Sequence, residues 1–135
     1  MKAGGALSDY LGRWAEPVAE IAARVPGRFT HVLVVPALNE SSALLDGYEI
    51  AARAVSGRVL CIVVVNGSES LEAEAFEGNA RCLSELTERM QGVESLHQAP
   101  PVWFGSVDAL DVLLVDRSSP GFRLPKRQGV GLARR

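Results

Sequence analysis

The fold is decided by the stretch VLCIVVV, residues 59–65, an unbroken apolar run rich in β-branched side chains. The run is too short for a buried helix and shows no polar alternation, so it predicts a strand that is covered on both faces. The stretches THVLVV, residues 30–35, and DVLLVD, residues 111–116, carry the same signature. The sequence therefore predicts three buried strands.

Amphipathic segments separate these strands. Residues 39–57 and 71–90 predict helices, the first capped by Asn39 or Ser41, and a further helix is predicted over residues 9–24, where Pro17 introduces a kink or a break. An α-helical return is the usual way to lay successive strands parallel, and ligands then bind at the carboxyl ends of the strands. We expect an α/β fold with its site at that edge.

Residues 92–109 show no clear period and are interpreted as an irregular excursion before the third strand. They contain Trp103 and Phe104, the one adjacent aromatic pair. A packing role is the expectation for this pair, with a place in a sugar pocket as the alternative.

The amino-acid composition limits which class of protein this chain can belong to. The chain has 135 residues, 47% of them hydrophobic and 22% charged, which is typical of one compact domain. Its apolar runs are too short to cross a bilayer and its start lacks the apolar core of a secretory signal, so we expect no transmembrane segment and a cytoplasmic location. Cys61 and Cys82 have neither CxxC spacing nor histidine neighbours, and we expect buried free thiols.

The charge is unevenly distributed. Six of the 14 basic residues follow Asp116, whereas all 16 acidic residues lie at or before it. Such a pattern favours a localised phosphate site in the C-terminal segment. The sequence shows no basic face with interleaved aromatic residues, so we expect no nucleic-acid partner.

After the first strand the chain reads Pro36-Ala37-Leu38-Asn39-Glu40. This segment resembles the opening signature of family 2 glycosyltransferases, in which a strand is followed by proline, a small residue and Asn-Glu. Pro36 would end the strand, Asn39 can form a turn, and the Glu40 carboxylate could accept hydrogen bonds from a ribose or base edge. The alternative is a helix cap with an acid in the first turn.

The end of the second strand, Val65-Asn66-Gly67-Ser68, is similar to the family's pattern of an acid or amide followed by Gly-Ser. Family members often carry two consecutive acids here, so only Asn66 would contact the base. An ordinary Asn-Gly turn is the alternative.

The last segment, residues 120–134, resembles the family's glycine-rich stretch before Ala-Arg. Glycine allows a backbone to approach phosphate closely, and neighbouring cations favour negative charge, so Lys126, Arg127 and the backbone of residues 129–131 would face a diphosphate. Asp116 would hold the base or support the loop. A solvated basic tail is the alternative.

The resemblance implies a three-layer, Rossmann-like partial GT-A domain over residues 29–135, with a mainly parallel sheet and an extra N-terminal helical segment over residues 1–28. Its ligand would be a nucleoside-diphosphate sugar. The nucleotide-binding residues would be Pro36, Ala37, Asn39, Glu40, Asn66, Asp116, Lys126, Arg127, Gly129 and Gly131.

The resemblance also implies what a complete domain needs. The family uses Mg or Mn held by an Asp-any-Asp motif and a later catalytic base, and this sequence contains no Asp-any-Asp. We therefore predict no catalytic residue and no metal ligand in this chain, and expect a truncated, inactive glycosyltransferase-like domain. Its open sheet edge predicts a homo-oligomer. The alternative is a non-catalytic nucleotide-binding or protein-interaction βαβ module.

Overall fold

The computed structural model describes residues 17–124, and side chains from Ile21 onward. Its strands are β1 (His31–Ala37), β2 (Val59–Asn66), β3 (Gln91–Gln98), β4 (Pro101–Val107) and β5 (Leu110–Arg117). Its α-helices are α1 (Asp46–Arg53) and α2 (Ala73–Arg89), and two 3₁₀ helices cover Pro17–Arg24 and Ser42–Leu45.

The strands form one mixed sheet in the order β1-β2-β5-β4-β3. Strands β1, β2 and β5 are parallel, with Val35 opposite Val63 and Val63 opposite Leu114. These are the three strands that the apolar runs predict, but the prediction that all three are buried is wrong for β1, which ends the described sheet and leaves Val32 and Val34 exposed. The α/β class is therefore confirmed, and the sheet is parallel at this end.

The prediction of an irregular excursion over residues 92–109 is wrong. The segment forms the antiparallel hairpin β3–β4, which extends the sheet beyond β5. The hairpin was hidden because β3 is an edge strand in which Leu96 alone is buried, so it lacks a hydrophobic pattern. Trp103 and Phe104 alternate between the two core clusters, which confirms a packing role for both.

The helix predicted over residues 39–57 is shorter than its sequence pattern indicated. Ser41, and not Asn39, caps the 3₁₀ turn by accepting a hydrogen bond from the Ala43 N–H at 3.3 Å. The chain then continues into α1, whose apolar face adds Ala52 to the core. The helix ends at Arg53, ahead of the predicted Gly57.

The sheet separates two hydrophobic clusters. One face carries both α-helices, and its core contains Leu45, Leu86 and both cysteines, which are buried free thiols as predicted. On the other face, Ile21 of the first 3₁₀ helix and Leu124 pack against β2, β4 and β5. The three-layer, Rossmann-like arrangement remains a prediction, because within residues 17–124 both α-helices lie on one face.

The predicted N-terminal helix, residues 9–24, lies partly outside the described residues. Its described part is the 3₁₀ helix Pro17–Arg24, tied to β3 by a hydrogen bond of 3.2 Å from Arg24 Nη1 to the Leu96 carbonyl. No helix in residues 17–124 is long and apolar enough to span a membrane.

Candidate functional site

The candidate site lies where the carboxyl ends of β1, β2 and β5 meet at one edge of the sheet. Because the strands are parallel and in register, residues 36–40, 66–70 and 116–121 leave the sheet on the same side. The Gly67 N–H donates to the Arg117 carbonyl at 3.0 Å, so two of the loops are in direct contact. The structure thus brings the three loops together.

Asn79 of α2 connects all three loops. Its side chain is fully buried, and its Oδ1 accepts a hydrogen bond from the Asn39 N–H at 2.7 Å. Its Nδ2 donates to the Asn66 carbonyl at 3.0 Å and to Ser118 Oγ at 2.9 Å. A buried amide with both donors and an acceptor satisfied fixes its neighbours, because leaving any of them unpaired would cost free energy.

Asn66 and Asp116 hold the loops from within. Asn66 is buried, and its Nδ2 donates to the Ala37 carbonyl at 3.0 Å. Asp116 is also buried, and its Oδ1 accepts from the N–H groups of Ser118 and Ser119, both at 2.9 Å. Both side chains therefore shape the edge in this structure, and the role of Asp116 matches the predicted support of its loop.

The turn after β1 has a special backbone. Asn39 has φ of 51°, in the left-handed region that asparagine tolerates better than most residues. Its side chain rests on Gly78 of α2, where an added Cβ would collide with Asn39 Oδ1. Asn39 is thus seated by a glycine and an asparagine that follow one another on α2.

The other residues of this turn differ in exposure. Pro36 is half-buried and Ala37 is buried, and Glu40 is exposed without a hydrogen bond to the described residues. The Glu40 carboxylate is therefore free to meet a ligand. It also lies close enough to Cys82 to add to the effect of burial and of Glu85, which together raise the pKa of that thiol to about 11.

Lys126, Arg127, Gly129 and Gly131 lie outside the described residues. The described chain ends at this edge, because the Leu124 N–H donates to the Gly67 carbonyl at 2.9 Å and its carbonyl accepts from the Glu69 N–H at 3.1 Å. Leu124 is fully buried. The residue that precedes the predicted basic segment is thus held beside the second loop.

Sequence reasoning missed Asn79, Ser118 and Arg123. A single asparagine in an amphipathic helix carries no signal of its own, and its partners are 13 to 40 residues away. Arg123 was counted only as part of the basic segment, although its Nε donates to the Ser118 carbonyl at 2.9 Å. The topology, and not the local sequence, places these residues at the site.

The described residues offer no cluster of metal ligands. Across residues 17–124, no group of three or more His, Cys, Asp or Glu side chains is arranged to hold a metal ion. Buried thiols are poor ligands while protonated, and burial raises the pKa of Cys61 to about 11.

Comparison with known proteins adds no relative: no family model, curated protein or solved structure matches this chain.

Proposed function

We propose that this chain binds a nucleoside-diphosphate sugar at the carboxyl edge of β1, β2 and β5, as the nucleotide-binding portion of a domain that resembles family 2 glycosyltransferases. Glu40, in the first loop, accepts hydrogen bonds from the ribose or the base edge. The second loop supplies the surface on which the base rests, with Asn66 beneath it.

One observation supports this proposal above the others. Two of the segments that carry the family resemblance, residues 36–40 and 65–68, converge at one edge with the loop after β5, which leads into the third, and the side chain of Asn79 bonds to these three loops through Asn39, Asn66 and Ser118. Open α/β sheets bind ligands at this edge. Loops fixed in advance also lower the entropic cost of ligand binding.

The charge distribution supports a diphosphate as part of the ligand. Arg117 and Arg123 lie at the end of β5 and in the loop after it, and Lys126 and Arg127 follow shortly after Leu124 in the sequence. Cations beside a phosphate form charge-assisted hydrogen bonds, which are stronger than neutral ones. Mg or Mn would belong to the complete family domain, and no described residue is assigned to it.

The internal hydrogen bonds of Asn66 and Asp116 favour a second candidate. Asn66 Nδ2 donates to the Ala37 carbonyl and Asp116 Oδ1 accepts from the N–H groups after β5, and neither side chain has a buried polar atom without a partner, so neither needs a ligand to be satisfied. A non-catalytic βαβ module that binds another phosphate ligand or a protein would need no base contact from them. The two candidates differ in whether the base contributes to affinity.

Calorimetric titration with UDP and GDP, with and without manganese, tests the proposal. The wild-type chain is expected to bind one nucleotide more tightly than the other, and more tightly than inorganic pyrophosphate. A Lys126→Ala/Arg127→Ala double variant is expected to bind at least about tenfold more weakly, because charge-assisted hydrogen bonds are lost.

The control is Arg28→Gln, which removes an exposed cation before β1, at the opposite edge of the sheet. It should leave nucleotide affinity unchanged. Equal affinities for UDP, GDP and pyrophosphate would favour the second candidate, and no binding of either nucleotide would refute the proposal.

A further inference from the structure

A concave site lies beside the converging loops, between the first turns of α2 and the loop after β5. It encloses about 230 Å³ and is lined by Phe76, Glu77 and Ala80 on the helix and by residues 118–120 and Arg123 on the loop side. Pockets for whole small molecules usually measure about 300 Å³ or more. The size therefore suits one chemical group of a larger ligand.

Arg123 is held in a defined orientation at this cavity. Its guanidinium carbon lies 3.5 Å from the centre of the Phe76 ring, a cation–π contact, and its Nε donates to the Ser118 carbonyl at 2.9 Å. The terminal nitrogens make no hydrogen bond to residues 17–124. They offer a planar pair of donors, the geometry that binds phosphate or carboxylate oxygens in a bidentate manner.

The walls of the cavity are fixed by the same contacts that organise the loops. Gly67 leaves room for the aromatic wall, because a Cβ there would come within 2.6 Å of Phe76 Cε1 and 3.2 Å of Ser118 Oγ. Asn79 donates to that same hydroxyl, and Asp116 holds the Ser118 N–H. The Arg123 guanidinium therefore packs against a wall whose position these contacts already fix.

We propose that this cavity is an oxyanion subsite in which Arg123 binds a phosphate group. For a nucleotide at the carboxyl edge this group is its diphosphate, and to that extent the inference rests on the proposed function. The cation that anchors the phosphate is then Arg123, and Lys126 and Arg127, the basic residues that the sequence singled out, follow it in the chain.

Glu77 is expected to affect phosphate affinity in the opposite direction to Arg123. It lines the cavity on the helix side, is exposed, and forms no ion pair with Arg123. A carboxylate near a bound phosphate repels it, so Glu77 lowers the affinity for a dianion. Opposite effects of changing Glu77 and Arg123 would identify the bound group as an anion.

The experiment is a calorimetric titration of the full chain with inorganic pyrophosphate and, separately, with UDP. Arg123→Gln is expected to weaken both at least about tenfold, because hydrogen bonds to charged groups are among the stronger ones. Arg123→Lys should retain part of the affinity, since the charge remains but the planar donor pair is lost. Glu77→Gln should strengthen both, and Arg28→Gln should change neither.

The outcomes separate this inference from the proposed function. UDP binding that is equal in wild type and in the Arg123 variants overturns the subsite and leaves the proposed function standing. Pyrophosphate binding that depends on Arg123, with neither UDP nor, in the titrations described above, GDP bound more tightly, supports the subsite and refutes the nucleotide. No binding of pyrophosphate or UDP to wild type overturns the subsite. If Arg123→Gln fails to fold, as judged by urea unfolding, the exposed Glu77→Gln decides: affinity that is unchanged or lower overturns the subsite.

Discussion

Replacing Asn79 by alanine tests the claim that one buried amide organises the three loops. The change removes one hydrogen bond accepted from the Asn39 N–H and two donated, to the Asn66 carbonyl and Ser118 Oγ. It leaves the Asn66 carbonyl and the Ser118 hydroxyl without their partner in a buried region, and the Asn39 N–H without its partner in a partly buried one. The expected result is a loss of stability together with disorder at the loops.

The magnitude follows from the groups left behind. Each buried polar group that loses its partner costs about 1–3 kcal/mol, but the Ser118 hydroxyl can rotate to a new partner. The two backbone groups then set the cost, which we expect to be about 3 kcal/mol. That is a large fraction of the roughly 5–15 kcal/mol by which a domain is stable.

The assay is urea unfolding followed by far-UV circular dichroism, with the free energy of unfolding extrapolated to water. The matched control is Ser84→Ala, an exposed position on the same helix, which should change stability by less than about 0.5 kcal/mol. If Asn79→Ala costs less than about 1 kcal/mol, the buried amide does not fix the loops and the reasoning fails.

Three further predictions concern other parts of the fold. Gly78→Ala should lower the free energy of unfolding by about 1–3 kcal/mol, measured by urea unfolding, because the new methyl group displaces Asn39. Val34→Lys should weaken self-association in sedimentation velocity, because within residues 17–124 β1 pairs along one edge only, and Val34 is 46% exposed on a strand that carries no charged residue. Cys61 and Cys82 should not react with a thiol reagent at pH 8 until the chain is unfolded, since burial raises the pKa of both to about 11. The stability gained from neutral thiols is full below the unfolded pKa of 9.0 and is lost as the pH rises towards 11.

Each of these predictions has its own control. Gly47→Ala on α1, where a Cβ meets nothing within 4 Å, should raise stability by about 0.5–1 kcal/mol; a loss equal to that of Gly78→Ala would contradict the steric argument. Val93→Lys, on the opposite edge strand beside Glu94, should leave association unchanged, and a chain that is monomeric at all concentrations would refute pairing through β1. Rapid labelling of the native thiols would contradict their burial.

The parallel half of the sheet was predictable because its strands are apolar runs, of which β2 and β5 are covered on both faces, whereas β1 leaves Val32 and Val34 exposed. An apolar run such as residues 59–65 has no other stable environment in a small domain, and its length excludes a helix. The hairpin of β3 and β4 was not predictable in the same way. Most side chains of β3 face solvent, so the alternation that marks a half-buried strand is absent.

The location of the candidate site was predictable, but its internal structure was not. The rule that ligands bind at the carboxyl ends of parallel strands placed Asn39, Asn66 and Asp116 at one edge. Which side chains face inward depends on contacts across the sheet, such as those of Asn79 and Arg123, and no local pattern encodes these contacts.

The most direct test of the account is a map of amide chemical-shift changes in the labelled chain as UDP or GDP is added. The changes are expected to concentrate in residues 36–40, 66–70 and 116–124, where the three loops meet. Little change is expected at the opposite edge, around Thr30, Arg58 and Asp108. No change with either nucleotide, or changes centred on that opposite edge, would contradict a nucleotide site at the carboxyl ends of β1, β2 and β5.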